Sequence, residues 1–165
     1  MRGAPYQVVV LAAAHDRSSF NCHAEPLNRY LREQVTQDVR RRVAACFVAL
    51  GPAGIVGYYT LAAASLLLSE LPVAALKKLP RYPTVPAIRM GRLAVDVSCK
   101  GQGLGAALLA DALLRATRSD IAAYAMIVDA KDASAKDFYQ HHGFIALPDT
   151  PMTLFLPLAT VKAAP

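Results

Sequence analysis

Apolar positions along this 165-residue chain change period several times, and each change marks a new element. Tyr6–Ala13 (Tyr-Gln-Val-Val-Val-Leu-Ala-Ala) is rich in β-formers and reads as a first strand. After a loop at Phe20–Cys22, Leu27, Tyr30, Leu31, Val35 and Val39 recur at helical spacing behind Pro26, a residue suited to a first helical turn. The opposite face of that helix carries Arg29, Arg32, Glu33, Arg40 and Arg41. Ala45–Leu50 and Ile55–Ala64 predict two strands around the turn Gly51-Pro52-Ala53-Gly54. Pro72–Leu79 predicts a short helix, ended by Pro80 and the pair Pro83 and Pro86. Ala87–Val95 reads as a strand, and Gly103–Thr117 as a helix apolar on most sides, hence packed on a sheet. Tyr124–Asp129 is a buried strand. Asp132 is a good N-cap for a helix that Gly143 closes as its C′ glycine, and Met152–Leu156 is a last strand before a frayed tail.

That order, β-α-β-β-(α)-β-α-β-α-β, predicts an α/β layer fold with a mixed sheet. There are no repeats, low-complexity segments or dividing linkers, so residues 1–165 read as a single domain with its core over about 6–158. Hydrophobic residues make up 55% of the chain, which excludes disorder. No apolar run reaches the ~20 residues of a membrane span, since Ile55–Leu68 is short and interrupted by Gly, Tyr, Thr and Ser. Met1–Pro5 lacks the apolar core of a secretion signal. Cys22, Cys46 and Cys99 are odd in number and show no metal-ligand spacing. Reduced thiols in a cytoplasm, and no metal, are the expectation.

Charge changes the picture more. The net charge is +6, from 18 Lys and Arg against 12 Asp and Glu, and the excess is clustered. Arg40-Arg41-Arg42 is one group. Lys77, Lys78, Arg81, Arg89, Arg92 and Lys100 form a second, interrupted by the single acid Asp96. A basic run is either a solvated face or the footprint of a polyanion, and clustering favours the footprint.

The chemistry concentrates at Lys100-Gly101-Gln102-Gly103-Leu104-Gly105, between a strand and a helix. Such a bend points several backbone N–H groups at one spot near the positive end of the helix dipole, a seat for phosphate. The glycine spacing is neither the G-x-G-x-x-G of dinucleotide sites nor a P-loop, which needs Gly-Lys-Ser/Thr. It fits [Gln/Arg]-x-x-Gly-x-[Gly/Ala], and so resembles the acetyl-CoA loop of the GNAT family of N-acetyltransferases. Lys100 departs from the usual Gln or Arg: it keeps the charge but loses the planar fork. Asp132-Ala-Ser-Ala135-Lys-Asp-Phe138-Tyr139, followed by Gly143-Phe144, resembles the family's second block. His15–Cys22, Gly57–Leu61, Leu79–Pro83, Gly91–Asp96 and Val128–Asp132 are similar to the acetyltransferase toxins of bacterial toxin–antitoxin operons. The resemblance runs from about Val8 to Leu158.

The resemblance implies a GNAT fold, with a mixed central sheet of about six to seven strands, splayed to hold acetyl-CoA and flanked by helices. It places a β-bulge near Leu93, Ala94 and Val95, where an unpaired amide would hold the thioester carbonyl. It makes Lys100, Gly101, Gln102, Gly103, Leu104, Gly105, Ala106, Asp132 and Ala135 further coenzyme contacts. It implies acetylation of the amino group of aminoacyl-tRNA, silencing by a ribbon-helix-helix antitoxin, and a homodimer.

Tyr139 is the candidate acid for the leaving thiolate, a role the family gives to a Tyr at this place. It lies two helical turns after Asp132, on the same side. A phenol near pKa 10 and a thiol near 8.5 make full proton transfer uphill by roughly 2 kcal/mol. Tyr139 therefore has either a lowered pKa or a role as hydrogen-bond donor; a core aromatic is the alternative, for which Phe138 is the better candidate.

The amine is more revealing. The strand Ala87–Val95 holds no carboxylate and two arginines, Arg89 and Arg92. A lysine ε-amine near pKa 10.4 would need a base, whereas an α-amine starts near 7.7–8.0 and an adjacent ester lowers it further. A missing base and a basic surface point to aminoacyl-tRNA. Arg89 and Arg92 are then the expected contacts to its acceptor end, with Arg40, Arg41, Lys77, Lys78 and Arg81 behind them. Phe20, Asn21 and Leu27 are offered as the amino-acid pocket. His15 reads as a local hydrogen-bonder, and His141 and His142 as imidazolium caps at a helix end. Two alternatives stay open: a GNAT enzyme acting on a small-molecule or protein amine, and a nucleic-acid- or antitoxin-binding module with a vestigial cofactor site.

Overall fold

The protein is described by a computed structural model over residues 6–161. Met1–Pro5, read above for the absence of a secretion signal, lie outside the described residues. Seven strands form one mostly antiparallel sheet in the order β1-β2-β3-β4-β5-β7-β6, with helices interspersed along the chain. Residue contacts group into two compact units, Met1–Ala62 with Met90–Ala112 and Ala63–Arg89 with Leu113–Pro165.

The first unit opens with β1 (Gln7–Val10), antiparallel to β2 (Ala45–Gly51), with Gln7 opposite Leu50 and Val10 opposite Phe47. β1 is shorter than the apolar run predicts. Beyond it the Ala12 amide donates to His15 Nδ1 (2.9 Å) and the His15 amide to the Ala12 carbonyl (3.1 Å), which turns the chain. The helical run divides into α1 (Glu25–Arg29), a π-helical turn (Tyr30–Gln34) and α2 (Val35–Arg40), with Pro26 in the first turn as expected. The π turn carries no local sequence signal. Its extra residue rotates the face that follows, so Tyr30, Leu31 and Val35 are buried while Val39 is exposed, against expectation.

The hairpin forms as read: β2 and β3 (Gly54–Leu67) pair antiparallel with Gly51 opposite Gly54. The register slips between Ala49, opposite Gly57, and Leu50, opposite Ile55, which leaves Val56 as the extra residue of a bulge. The core of this unit is built on Phe20, Tyr30, Leu31, Val35, Val48 and Tyr58.

In the second unit, α3 (Val73–Leu76) is only one turn. β4 (Thr84–Val95), whose residues up to Arg89 belong to this unit and the rest to the first, starts earlier than predicted and takes in Pro86, which was expected to stand outside any strand. Pro86 is near the strand start, where a missing donor is tolerated, and its carbonyl accepts from the Tyr124 amide (2.8 Å). β5 (Ala125–Asp129) pairs antiparallel with β7 (Thr153–Pro157), and the two-residue β6 (Ile145–Ala146), absent from the sequence reading, adds to the other side of β7. The tail is not frayed through residue 160. Leu158–Thr160 forms a 3-10 turn, with Leu158 buried and its amide bonded to the Tyr124 carbonyl (2.8 Å). Leu66, Val85, Ala125, Ile127 and Phe155 centre this core. α4 (Leu104–Arg118) and α5 (Ala133–His141) complete the order. No helix among the described residues is long and apolar enough to cross a membrane.

Candidate functional site

The bend after β4 is built by a chain of local hydrogen bonds. Asp96 caps a 3-10 turn, Val97–Cys99, by accepting from the Ser98 amide (3.0 Å) and hydroxyl (2.6 Å) at one oxygen and from the Asn21 amide (2.8 Å) at the other. Burial pushes the Asp96 carboxyl up, but these bonds outweigh it and hold the group below its ordinary value. The Asp96 amide donates to the carbonyl of Val56 in the bulge, and the Val97 amide to Asn21, both at 2.8 Å. Lys100 then leads into Gly101 and Gly103, whose φ values of +79° and +81° are left-handed. No heavy atom lies within 4 Å of where a Cβ would stand on either. Backbone conformation, and not crowding, therefore requires glycine here, and the space above is open.

α4 starts directly afterwards. The first bond of its ladder runs from the Ala107 amide to the Gly103 carbonyl (3.0 Å), so the amides of Leu104, Gly105 and Ala106 have no intrahelical acceptor. Three consecutive donors at the positive end of a 15-residue helix, next to the open positions of Gly101 and Gly103, fit a pyrophosphate. The helix start is held close to the sheet. A Cβ on Gly57 would come within 2.8 Å of Leu108 and 3.2 Å of the Ala94 carbonyl, so only glycine admits α4 at that distance.

Two side chains of the bend have partners elsewhere. Gln102 accepts from the Tyr6 hydroxyl (3.2 Å) and donates to the Ser98 carbonyl (3.3 Å). The Lys100 ammonium donates to the Cys22 carbonyl (3.0 Å), tying the bend to the Phe20–Cys22 loop. That one bond leaves the Lys100 ammonium two further N–H donors, so the side chain is open to a phosphate beside the backbone amides.

The second block forms as predicted. Asp132 caps α5 by accepting from the Ala135 amide (2.8 Å), and Gly143, at φ +94°, turns the chain back so that the Phe144 amide reaches the Tyr139 carbonyl (3.1 Å). This return lays the Phe144 ring against Tyr139, centroids 5.5 Å apart. Tyr139 is buried and Phe138 only half-buried, the reverse of the sequence expectation, because Phe144 covers the Tyr139 side. Burial, and next the Asp129 carboxylate, push the Tyr139 phenol up to about 12. Its hydroxyl makes no hydrogen bond to another described residue. A lowered pKa therefore fails, and a phenol that keeps its proton fits both a hydrogen-bond donor and the core aromatic named as the alternative.

His142 is also corrected. Burial first and then His141 hold its imidazole below the ordinary value, so a charged cap is disfavoured. It packs its ring on Phe138 (4.8 Å) and closes the helix with its backbone amide instead.

The two candidate arginines differ. Arg89 is ion-paired with Asp129, whose other oxygen accepts from the Thr153 hydroxyl (2.8 Å). Arg92 is half-buried with its guanidinium carbon 3.5 Å from the centroid of the Tyr30 ring, and makes no hydrogen bond or ion pair to a described residue. Arg40, Arg41, Lys77, Lys78 and Arg81 are exposed. Phe20 is 1% exposed and packs its edge on Tyr58, so it is core and not a pocket wall. The Asn21 side chain accepts from the His23 amide (3.0 Å) and from Asn28 (3.1 Å), which makes it a loop brace. The three cysteines are free and buried, and no group of three His, Cys, Asp or Glu among the described residues is placed to hold a metal ion. Tyr30 and Asp129 escaped the sequence reading: an aromatic at helical spacing reads as core, and a strand-end acid gives no sign of its partner.

A glycine bend with free amides at the start of a long helix, and in the second unit a capped helix carrying a buried tyrosine, are the two sequence blocks expected of an acyl-CoA-dependent transferase. The model of the acetyltransferase (GNAT) domain matches residues 24–153, and the chain belongs to that family. It is an N-acetyltransferase that uses acetyl-CoA. The chain is 32% identical over 155 residues, 93% of its length and 92% of the relative's, to the tRNA-acetylating toxin of Mycobacterium tuberculosis. It is 25% identical over 160 residues, 90% of this chain and 88% of the relative, to the probable toxin TacT of Sinorhizobium fredii. Among solved structures it is similar to AtaT complexed with acetyl-methionyl-tRNAfMet, with a TM-score of 0.86 and 30% identity over 94% of this chain and 96% of that one. AtaTR bound with AcCoA matches with a TM-score of 0.80 and 28% identity over 94% and 95% of the two chains.

Proposed function

We propose that the protein is a toxin that moves acetyl from acetyl-CoA to the α-amino group of aminoacyl-tRNA and so blocks translation. The observation that carries this is the composition of β4: no carboxylate, two arginines, and one of those, Arg92, with its guanidinium uncommitted. The relatives named for tRNA acetylation support it, as does AtaT with its acetylated initiator tRNA. In this reading the whole chain acts as one catalytic domain in the cytoplasm, as a homodimer. A ribbon-helix-helix antitoxin neutralises it, a reading supported by a solved structure of an AtaT mutant bound to the C-terminus of the antitoxin AtaR.

Acetyl-CoA supplies an acetyl group already activated as a thioester. The amides of Leu104, Gly105 and Ala106, with Gly101 and Gly103 shaping the approach, seat its pyrophosphate. Leu93, Ala94 and Val95 would line the acyl end, where a backbone N–H of β4 would hold the thioester carbonyl oxygen. Asp132 and Ala135 act through the α5 N-terminus. Tyr139 donates a hydrogen bond to the departing sulfur, a role suited to a phenol that burial keeps protonated. The nucleophile needs no protein base, because the α-amine of an aminoacyl ester titrates below 7.7–8.0 and sheds its proton to water. Arg92 is the first contact to the acceptor end; Arg89, neutralised by Asp129, is the second.

Incubation with labelled acetyl-CoA and, in separate arms, charged tRNA, spermidine and a lysine peptide tests this. Label on charged tRNA alone is expected. Label only on spermidine or peptide would replace the reading with a small-molecule or protein acetyltransferase, and coenzyme binding without transfer would leave a vestigial site.

A further inference from the structure

Arg92 is an unusual cation for the central strand of a sheet. It is half-buried, its planar head lies 3.5 Å from the Tyr30 ring centroid, and its N–H donors meet no acceptor among the described residues. A guanidinium whose carbon sits 3.5 Å over an aromatic centroid is held by the ring and keeps N–H donors for a phosphate or ester oxygen. An arginine on a flexible stem would have to lose that freedom on binding. Here the freedom is already lost.

The ring beneath is itself fixed. Tyr30 is 5% exposed and opens the π turn, its carbonyl accepting from the Val35 amide five residues on. Its hydroxyl donates to Asp38 Oδ2 at 2.7 Å, and burial keeps the phenol well above its ordinary value, so it remains a donor. Its ring stacks with Tyr58 at 15° between planes, and the Tyr58 hydroxyl is bonded in turn to the Leu27 carbonyl (2.7 Å). Pi-helical turns insert one residue at some cost and recur at functional sites. This one opens at Tyr30, the residue whose ring lies under Arg92.

We infer that Tyr30, braced by Asp38, is a positioning residue that presents the Arg92 guanidinium to the acceptor end of aminoacyl-tRNA. The inference rests on the aminoacyl-tRNA reading above. The phosphate-binding bend takes no part in it, so the effect falls on one substrate only.

The test is steady-state acetylation of mixed charged bacterial tRNA by the full chain, with KM measured separately for charged tRNA and for acetyl-CoA. Tyr30→Leu is expected to raise KM for charged tRNA about ten-fold and to leave KM for acetyl-CoA within about two-fold. Tyr30→Phe, which keeps the ring, is expected to restore most of the loss. Tyr30→Leu should add little when Arg92 is already Ala, since the two act through one contact. Equal changes in both KM values, or full additivity with Arg92→Ala, would reduce Tyr30 to a core residue and overturn the inference. Wild-type protein that labels no charged tRNA would overturn the aminoacyl-tRNA reading and this inference with it, whereas an active wild type with an unaffected Tyr30→Leu sinks the inference alone. Should Tyr30→Leu not fold, the wild type still decides. The Arg92 Nε–H resonance should be ring-shifted and should move on adding charged tRNA but not coenzyme A; a resonance unshifted, or unmoved by charged tRNA, contradicts the assignment.

Discussion

A phenol lifted to about 12 keeps its proton through the whole working range, so the role proposed for Tyr139 is that of a donor and not a reservoir of base. Tyr139→Phe is expected to lower kcat about 10²- to 10⁴-fold while acetyl-CoA affinity, measured by calorimetry, stays within about two-fold. The pH profile follows from the same residue. kcat/KM for charged tRNA should climb through the pKa of the substrate amine, level off, and show no alkaline fall below about pH 10. Because the folded pKa of Tyr139 is raised above its unfolded value near 10, the associated stability is full below pH 10 and is lost as pH rises towards 12. Alkaline denaturation of Tyr139→Phe should therefore have a higher midpoint than wild type, and an unchanged midpoint would remove the buried ionisation. Asp132, Tyr139 and Gly143 were legible because a cap, a C′ glycine and the spacing between them are local. Which of Phe138 and Tyr139 turns inward was not, since that depends on Phe144 returning across the helix end. The tie of Lys100 to the Cys22 carbonyl spans 78 residues and leaves no local trace.

Among the elements, the start of α4 separates binding from folding. Gly103→Ala forces a left-handed φ on a residue with a Cβ, at about 1–2 kcal/mol, in open space. Acetyl-CoA affinity should fall several-fold, with Tm lowered by a few degrees. Gly57→Val should lower Tm by several degrees, about 1–3 kcal/mol of overpacking where its side chain meets Leu108 and the Ala94 carbonyl, and leave coenzyme affinity within about two-fold. Thermal melts with and without coenzyme distinguish the two, and identical behaviour would contradict the placement of the bend. The hairpin, α4 and α5 could be read from turn residues and periodicity, which are short-range. The π turn, the bulge at Val56 and the two-residue β6 could not, because pairing partners and packing, and not the residues themselves, decide them.

At the scale of the whole molecule, a net charge of +6 gathered into clusters predicts association governed by phosphate contacts. Arg92→Glu should weaken binding of charged tRNA and reduce the slope of log K against log salt by about one contact, with acetyl-CoA binding unaffected. An unaltered slope would take Arg92 out of the interface. The class of fold was legible from the order of elements, and the proposed substrate rests on what β4 lacks. The account stands most directly on where the acetyl group goes. Charged tRNA treated with the protein and acetyl-CoA, digested to aminoacyl-adenosine and weighed by mass spectrometry, should carry the acetyl on the amino acid's nitrogen. An acetyl found only on a nucleobase, a polyamine or a protein lysine would contradict it.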